Sequence, residues 1–216
     1  MAGRTARAEQ VSATRELILT AAERLFAERG VYAVSNRQVS EAAGQGNNAA
    51  VGYHFGTKAD LVRAIARKHA ARIDRIRTRL LAEIGDSDDV RDWVACLVRP
   101  VPEHLAALGS PTWYARFCAQ VMTDPALREI IVEESLSSSS LLRVIEGLNR
   151  CLPELPPEVR AERGVMAREL ILHVSAERER ELAENTPTPR PDWNDTATGL
   201  IDALVGLWLA PVTSRT

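Results

Sequence analysis

Residues 35–61, SNRQVSEAAGQGNNAAVGYHFGTKADL, and residues 14–34 before them, TRELILTAAERLFAERGVYAV, decide the fold. In the earlier run Leu17, Ile18, Ala21, Ala22, Leu25 and Phe26 recur at helical spacing, with Arg15, Glu16, Glu23, Arg24 and Glu28 between them. One apolar stripe on a charged rod is an amphipathic helix, opened by Ser12 or Thr14 and stopped by Gly30. Ser35 then reads as the N-cap of a short helix over about residues 36–43, and Gly44 suits the left-handed turn after it. A third short helix fits residues 47–54 and is broken by Gly56. Thr57 caps a longer helix from Lys58 to about Ile84, in which Leu61, Ile65, Ile73, Ile76 and Leu80 keep the helical period. Two short helices joined at a tight glycine turn and buttressed by a longer one have the outline of a helix-turn-helix.

Working outward, residues 85–89 (GDSDD) read as a linker. Their carboxylates adjoin a lone turn without a second ligand cluster, so helix capping around Asp88 and Asp89 explains them better than a metal site. Helices are expected over 90–98, 102–108, 111–123, 125–151, 157–185 and 193–209. The serines at 137–140 are expected as a kink or a solvated face in the fourth of these. The proline-rich residues 185–191 must be a loop. No segment shows strand alternation, so the expected class is all-α. A basic arm (1–13) precedes the helix-turn-helix region (14–57), a connecting helix (58–85) and a larger helical remainder (86–216).

With 216 residues, 45% of them apolar and 26% charged, the chain can bury a sizeable core, and its composition excludes disorder. The longest run without Asp, Glu, Lys or Arg, residues 42–57, is polar, so no membrane span is expected. No apolar run follows Arg4 and Arg7, as a secretion signal would require. The net charge of -2 conceals a division. Residues 1–85 carry 14 basic and 8 acidic side chains, a balance of +6, whereas the remainder carries 13 against 21, a balance of -8. A basic module on an acidic one fits a polyanion-binding head on a differently employed body; segregated helix-surface charge is the plainer reading. Cys96, Cys118 and Cys151 form no CxxC pair and lie near no histidine cluster, which excludes a zinc finger. Buried thiols in a reducing cytoplasm are the simple expectation, with a redox sensor as the alternative.

Three pieces in order, AERLFAERG at 22–30, EAAG at 41–44 and YHFGTKADL at 53–61, resemble the DNA-binding domain of the TetR family. The resemblance covers about residues 14–62, and beyond them only length and helical character match. It implies a homodimeric cytoplasmic regulator of transcription, usually a repressor, that binds a near-palindromic double-stranded operator and is released by a small-molecule effector. Residues 86–216 would then be the effector-binding and dimerisation domain. The region from Gly44 to Tyr53 is one residue longer than the commonest family version, and Ser-Asn-Arg-Gln-Val-Ser at 35–40 replaces the usual Thr-Val/Ile-x-x-Ile-Ala.

On these residues the DNA-binding expectations are specific. Ser35 offers a hydroxyl and helix N-terminal N–H groups to phosphate, or acts simply as a cap. The third helix holds no Arg or Lys, so Gln45, Asn47 and Asn48 are expected to read adenine edges, with Ala50 against a thymine methyl. Tyr53, His54, Thr57 and Lys58 are placed for phosphate, Arg15 and Arg37 for further backbone contacts, and Arg4 and Arg7 for a minor groove or phosphates, a solvated tail being the alternative for the last two. An effector pocket is expected from Trp93, His104, Trp113, Tyr114, Phe117, Cys118, Met122, Met166 and His173, each of which is otherwise ordinary core. A dimer interface is expected from Leu170, Val174, Leu200, Ile201, Leu204, Val205 and Trp208, because the last helix is apolar around more than one buried face requires; a central core helix is the alternative. No cofactor or metal is expected. An enzyme is the remaining alternative, and no G-x-S-x-G, HExxH or glycine-rich phosphate loop supports one.

Overall fold

The computed structural model describes residues 2–47, 49–188 and 192–213, with side chains from residue 8 onward. All secondary structure among them is helical: α1 (Ala2–Arg29), α2 (Asn36–Ala42), α3 (Ala50–Phe55), α4 (Lys58–Ile84), α5 (Val90–Val98), α6 (Pro100–Leu108), α7 (Tyr114–Met122), α8 (Pro125–Leu136), α9 (Ser139–Cys151), α10 (Pro157–Glu184) and α11 (Trp193–Leu209).

Local chemistry explains most boundaries. Ser35 and Thr57 each close a capping box, with Gln38 and Asp60 as the reciprocating partners. Asp89, Asp124, Ser138 and Asp192 cap α5, α8, α9 and α11 by accepting from backbone N–H groups one turn on. Gly30 leaves α1 at a φ of 84°, a conformation that side chains with a Cβ rarely adopt.

Of the boundaries that differ from expectation, three bear on the site. α1 begins at Ala2, so residues 2–13 continue the helix instead of forming a separate arm, and Ser12 and Thr14 lie inside it. Nothing after Gly3 stops a helix there. α3 begins at Ala50 and has six residues, because the Asn47 side chain accepts from the Ala49 N–H at 2.9 Å and works as a turn residue. The serine run separates α8 from α9 outright: Ser138 caps α9, while Ser138 and Ser140 donate to Asp74 of α4 at 2.5 and 2.7 Å.

The main core surrounds Phe26 and joins α1, α2, α3 and the start of α4 to Phe117 and Val121 of α7 and Leu127 and Ile130 of α8. The first three helices therefore share one interior with the C-terminal half. A second core joins α5, α9, α10 and α11 to the end of α4, with Trp93 lying flat on Gly147 so closely that a Cβ there would fall 2.2 Å from the indole ring.

Candidate nucleic-acid interface and internal cavity

The reading surface is built on α2 and α3. Ser35 is exposed; its hydroxyl accepts from the Gln38 N–H at 3.2 Å and its own N–H donates to Gln38 Oε1 at 2.8 Å. Arg37 stands in solvent and pairs with Glu41 at 2.7 Å, which holds its guanidinium pKa above the ordinary value. Tyr53 is 80% exposed, the most open of the large apolar side chains, and meets the half-buried His54 edge-on at 5.0 Å. Thr57 is exposed and donates to Asp60 Oδ2 at 2.6 Å, which lowers the Asp60 pKa. Arg15 holds this region from beneath: its guanidinium lies 4.3 Å from the Phe55 ring centre and donates to the His54 carbonyl.

Other expected contacts are spent inside the protein. Ala50 is buried in the main core beside Val51, so it offers no methyl surface to a base. The Lys58 ammonium donates to the carbonyls of Val31 and Val34 at 3.0 and 2.6 Å, fastening the α1–α2 connection to α4, and desolvation lowers its pKa. Gln45 is half-buried and donates to the Ala43 carbonyl at 3.0 Å. Asn47 is exposed, with its oxygen engaged at Ala49. Asn48 and the side chains of Arg4 and Arg7 lie outside the described residues.

Behind the reading surface runs a buried polar seam that crosses four helices. Glu23 of α1 faces His69 Nε2 of α4 at 2.9 Å, and His69 Nδ1 faces His104 Nε2 of α6 at 2.7 Å. A carboxylate only accepts, so His69 donates from Nε2 to Glu23, while the direction of the bond between the two histidine rings follows their tautomers. Tyr114 of α7 stacks on His69 at 3.9 Å between ring centres. Burial, then His69 and Arg72, push the His104 pKa down to about 4.

Farther along α4 lies a cavity of about 890 Å³, walled by α4, α7, α8, α9 and α10 with Leu97 of α5, Val101 of α6 and Trp208 of α11. That volume suits a drug-sized molecule. Of the residues named from the sequence for a pocket, Tyr114, Cys118 and Met122 line this cavity. The other expected pocket residues are elsewhere. Trp93 packs on Gly147 and donates to the Ser87 carbonyl at 2.8 Å, and His104 is committed to the seam. Phe117 is fully buried in the main core, and Trp113 packs against that core. Met166 and His173 stand exposed on α10, where His173 meets Glu169 at 3.3 Å.

The sequence did not mark out the cavity's own polar atoms. Arg77 Nε, Arg160 Nε, Ser175 Oγ and Trp208 Nε1 are buried without a hydrogen-bond partner, and all four residues line it. Arg77 sits between Arg75 and Arg79 in the chain, a context that reads as a solvated helix face. Both cavity-side and core thiols resist ionisation: desolvation pushes Cys96 up to about 11 and Cys118 to about 12.

At the expected dimer surface the two helices behave differently. On α10, Met166, Leu170 and Val174 form an exposed row at helical spacing. On α11, Leu200, Ile201, Leu204 and Trp208 are buried within their own chain, because α11 packs on α5, α6 and α10; this corrects their assignment to a partner-facing surface. Val205 is half-buried. Leu170, Val174, Gly199 and Ala203 border one shallow depression between α10 and α11.

Two family models match this arrangement: bacterial regulatory proteins of the tetR family over residues 18–65, and the Tetracyclin repressor-like C-terminal domain over residues 95–206. The chain belongs to the TetR family. The TetR family is one of DNA-binding transcriptional regulators. The chain is 35% identical over 86 residues to the HTH-type transcriptional repressor AcnR of Corynebacterium diphtheriae, a match that spans 40% of this chain and 43% of that relative. In fold it is similar to a TetR-family transcriptional regulator from Rhodococcus sp., with a TM-score of 0.58 and 18% identity over 91% of this chain and 99% of the other. It is also similar to NalD of Pseudomonas aeruginosa, a secondary repressor of the MexAB-OprM multidrug efflux pump, with a TM-score of 0.56 and 22% identity over 93% and 98% of the two chains. No helix among the described residues is long and apolar enough to cross a membrane.

Proposed function

We propose that this TetR-family regulator is a cytoplasmic homodimeric repressor that leaves a near-palindromic operator when a small molecule fills the cavity. The observation that carries this reading is the sharing of helices. α4 contributes Leu61, Val62 and Ile65 to the DNA-binding core and, from Ala66 to Arg77, one wall of the cavity. α7 does the same, with Phe117 and Val121 in that core and Tyr114 and Cys118 on the cavity. A ligand that favours one placement of α4 and α7 therefore biases the placement of α2 and α3.

Ser35, Arg37, Asn47, Tyr53 and Thr57 are the exposed candidates for DNA contact, and Asn48 remains one from the sequence. The exposed α10 row and the α11 depression supply a self-complementary surface for a two-fold dimer. Two recognition elements about 34 Å apart then meet successive major grooves. The test is selection from a randomised duplex library with the full chain. An inverted repeat is expected, and replacing Asn47 and Asn48 with alanine should relax preference for A·T pairs within each half-site. Failure to enrich any sequence overturns the reading.

A further inference from the structure

The cavity carries information about its ligand that goes beyond its existence. Arg77 is 7% exposed, yet its only hydrogen bond runs from Nη1 to the Ser140 hydroxyl at 3.4 Å, and its Nε has none. Among the described residues no carboxylate lies within ion-pair distance of this guanidinium. Asp74, which contributes to its field, is turned to Ser138 and Ser140 at 2.5 and 2.7 Å. Of the two acidic residues that line the cavity, Glu134 of α8 is occupied by Arg63 and Arg67 at 3.3 and 2.8 Å, and Glu154 is exposed between α9 and α10. A buried guanidinium whose nearest carboxylate is one serine hydroxyl away and bonded elsewhere is incompletely compensated, and a ligand anion removes that cost. The rest of the wall is largely aliphatic, with Ile73, Val101, Ile131, Leu148 and Ile171 among its members.

We propose that the cavity takes an amphipathic carboxylate, its acid group on the Arg77 guanidinium and its hydrocarbon body along the aliphatic wall. The proposal rests on the effector reading above and gives it a chemical class. With Nη1 directed to Ser140, Arg77 still offers the parallel N–H bonds of Nε and Nη2, the planar fork that matches a carboxylate. An uncharged ligand of equal length would bury as much apolar surface but leave the guanidinium uncompensated. The cavity should therefore discriminate by head group as well as by size.

The test uses the full chain, with decanoate and 1-decanol at submicellar concentrations as probes, and isothermal titration calorimetry as the readout. Decanoate is expected to bind at least about tenfold more tightly than 1-decanol, as a charge-assisted hydrogen bond in a buried site implies. Arg77→Met should abolish that preference, whereas Arg77→Lys should keep part of it; the comparison within the unmodified protein needs no variant to fold. Equal affinities, tighter binding of the alcohol, binding of neither probe, or a preference that survives Arg77→Met overturns the proposal. A gel shift on the selected operator separates this from the broader reading. Release by 1-decanol alone keeps effector control and overturns the carboxylate. Arg77-dependent binding of decanoate with the operator retained keeps the carboxylate and overturns release.

Discussion

The interior around Phe26 and the interior around the cavity treat buried polar groups in opposite ways. In the first, Glu23 receives His69, the Lys58 ammonium is held by two carbonyls, and the caps at Ser35 and Thr57 are closed on both sides. Among the described residues of that region one buried side-chain atom, Asn36 Oδ1, lacks a partner. Around the cavity, side chains from α4, α10 and α11 present four such atoms to a single space. Unmet polar groups cost stability, so a protein that places them together gains something by it elsewhere. The contrast divides the molecule into a part built to hold one shape and a part built to be completed by another molecule.

The largest expected effect breaks this comparison most directly. Phe26→Ala removes a fully buried ring that stacks on Phe117 at a centroid distance of 6.4 Å, and should cost about 3–5 kcal/mol of unfolding free energy. Ile145→Ala trims a cavity-wall residue that is already 37% exposed, and should cost about 1 kcal/mol or less, since little new void forms. Urea denaturation of both variants measures the difference; equal costs would mean the cavity is as tightly determined as the core.

The seam at the join of the two parts should make stability fall in acid. Unfolded His104 takes a proton near pH 6.5, but in the folded protein it refuses one until about pH 4. Between those values the unfolded state binds more protons, so this contribution is complete above pH 6.5 and is lost as the pH falls toward 4. Roughly 2 kcal/mol should disappear between pH 7.5 and pH 5. His104→Gln should flatten that slope in a series of urea titrations across the range. An unchanged slope would place the acid sensitivity in another group.

A smaller effect belongs to the reading helices. Ser35→Ala opens the capping box of α2 and should cost about 1 kcal/mol, measured by the shift in denaturation midpoint. Operator affinity should fall by more than this stability loss explains if the same hydroxyl also meets a phosphate. A fall that Ser35→Gly restores would assign Ser35 to capping alone.

The two regions also differed in how far the sequence disclosed them. Ser35, Thr57, Gly30 and Gly56 act on neighbours within a few residues, so the helix ends they set were legible as spacing. α3 starts three residues later than the period implies, because the Asn47 side chain accepts from the Ala49 N–H as a turn residue, a choice that period alone does not decide. α11 looked too apolar for one chain, yet it is the centre of the second core and is covered by α5, α6 and α10. The cavity was the least legible feature. Its walls come from residues 66 to 208, and Ser140, the hydrogen-bond partner of Arg77, lies 63 positions along the chain. Periodicity assigns a side chain to a face of its own helix; it does not say what lies opposite.

The smallest expected effect tests the cavity from the other direction. Ser175 is 1% exposed, and its hydroxyl has no hydrogen-bond partner among the described residues. Ser175→Ala therefore removes a desolvated polar atom without breaking a bond, and the hydroxyl leaves less than a methyl group's volume behind it. Stability should change by about 0.5 kcal/mol or less, with any shift toward a more stable protein. The same substitution at Ser140, whose hydroxyl donates to Asp74 and accepts from Arg77, should cost about 1–2 kcal/mol. A loss at Ser175 as large as that at Ser140, read from paired urea titrations, would show that the cavity hydroxyl is already satisfied without ligand. The contrast between a self-sufficient core and a cavity awaiting its partner would then fail at the residue that states it most simply.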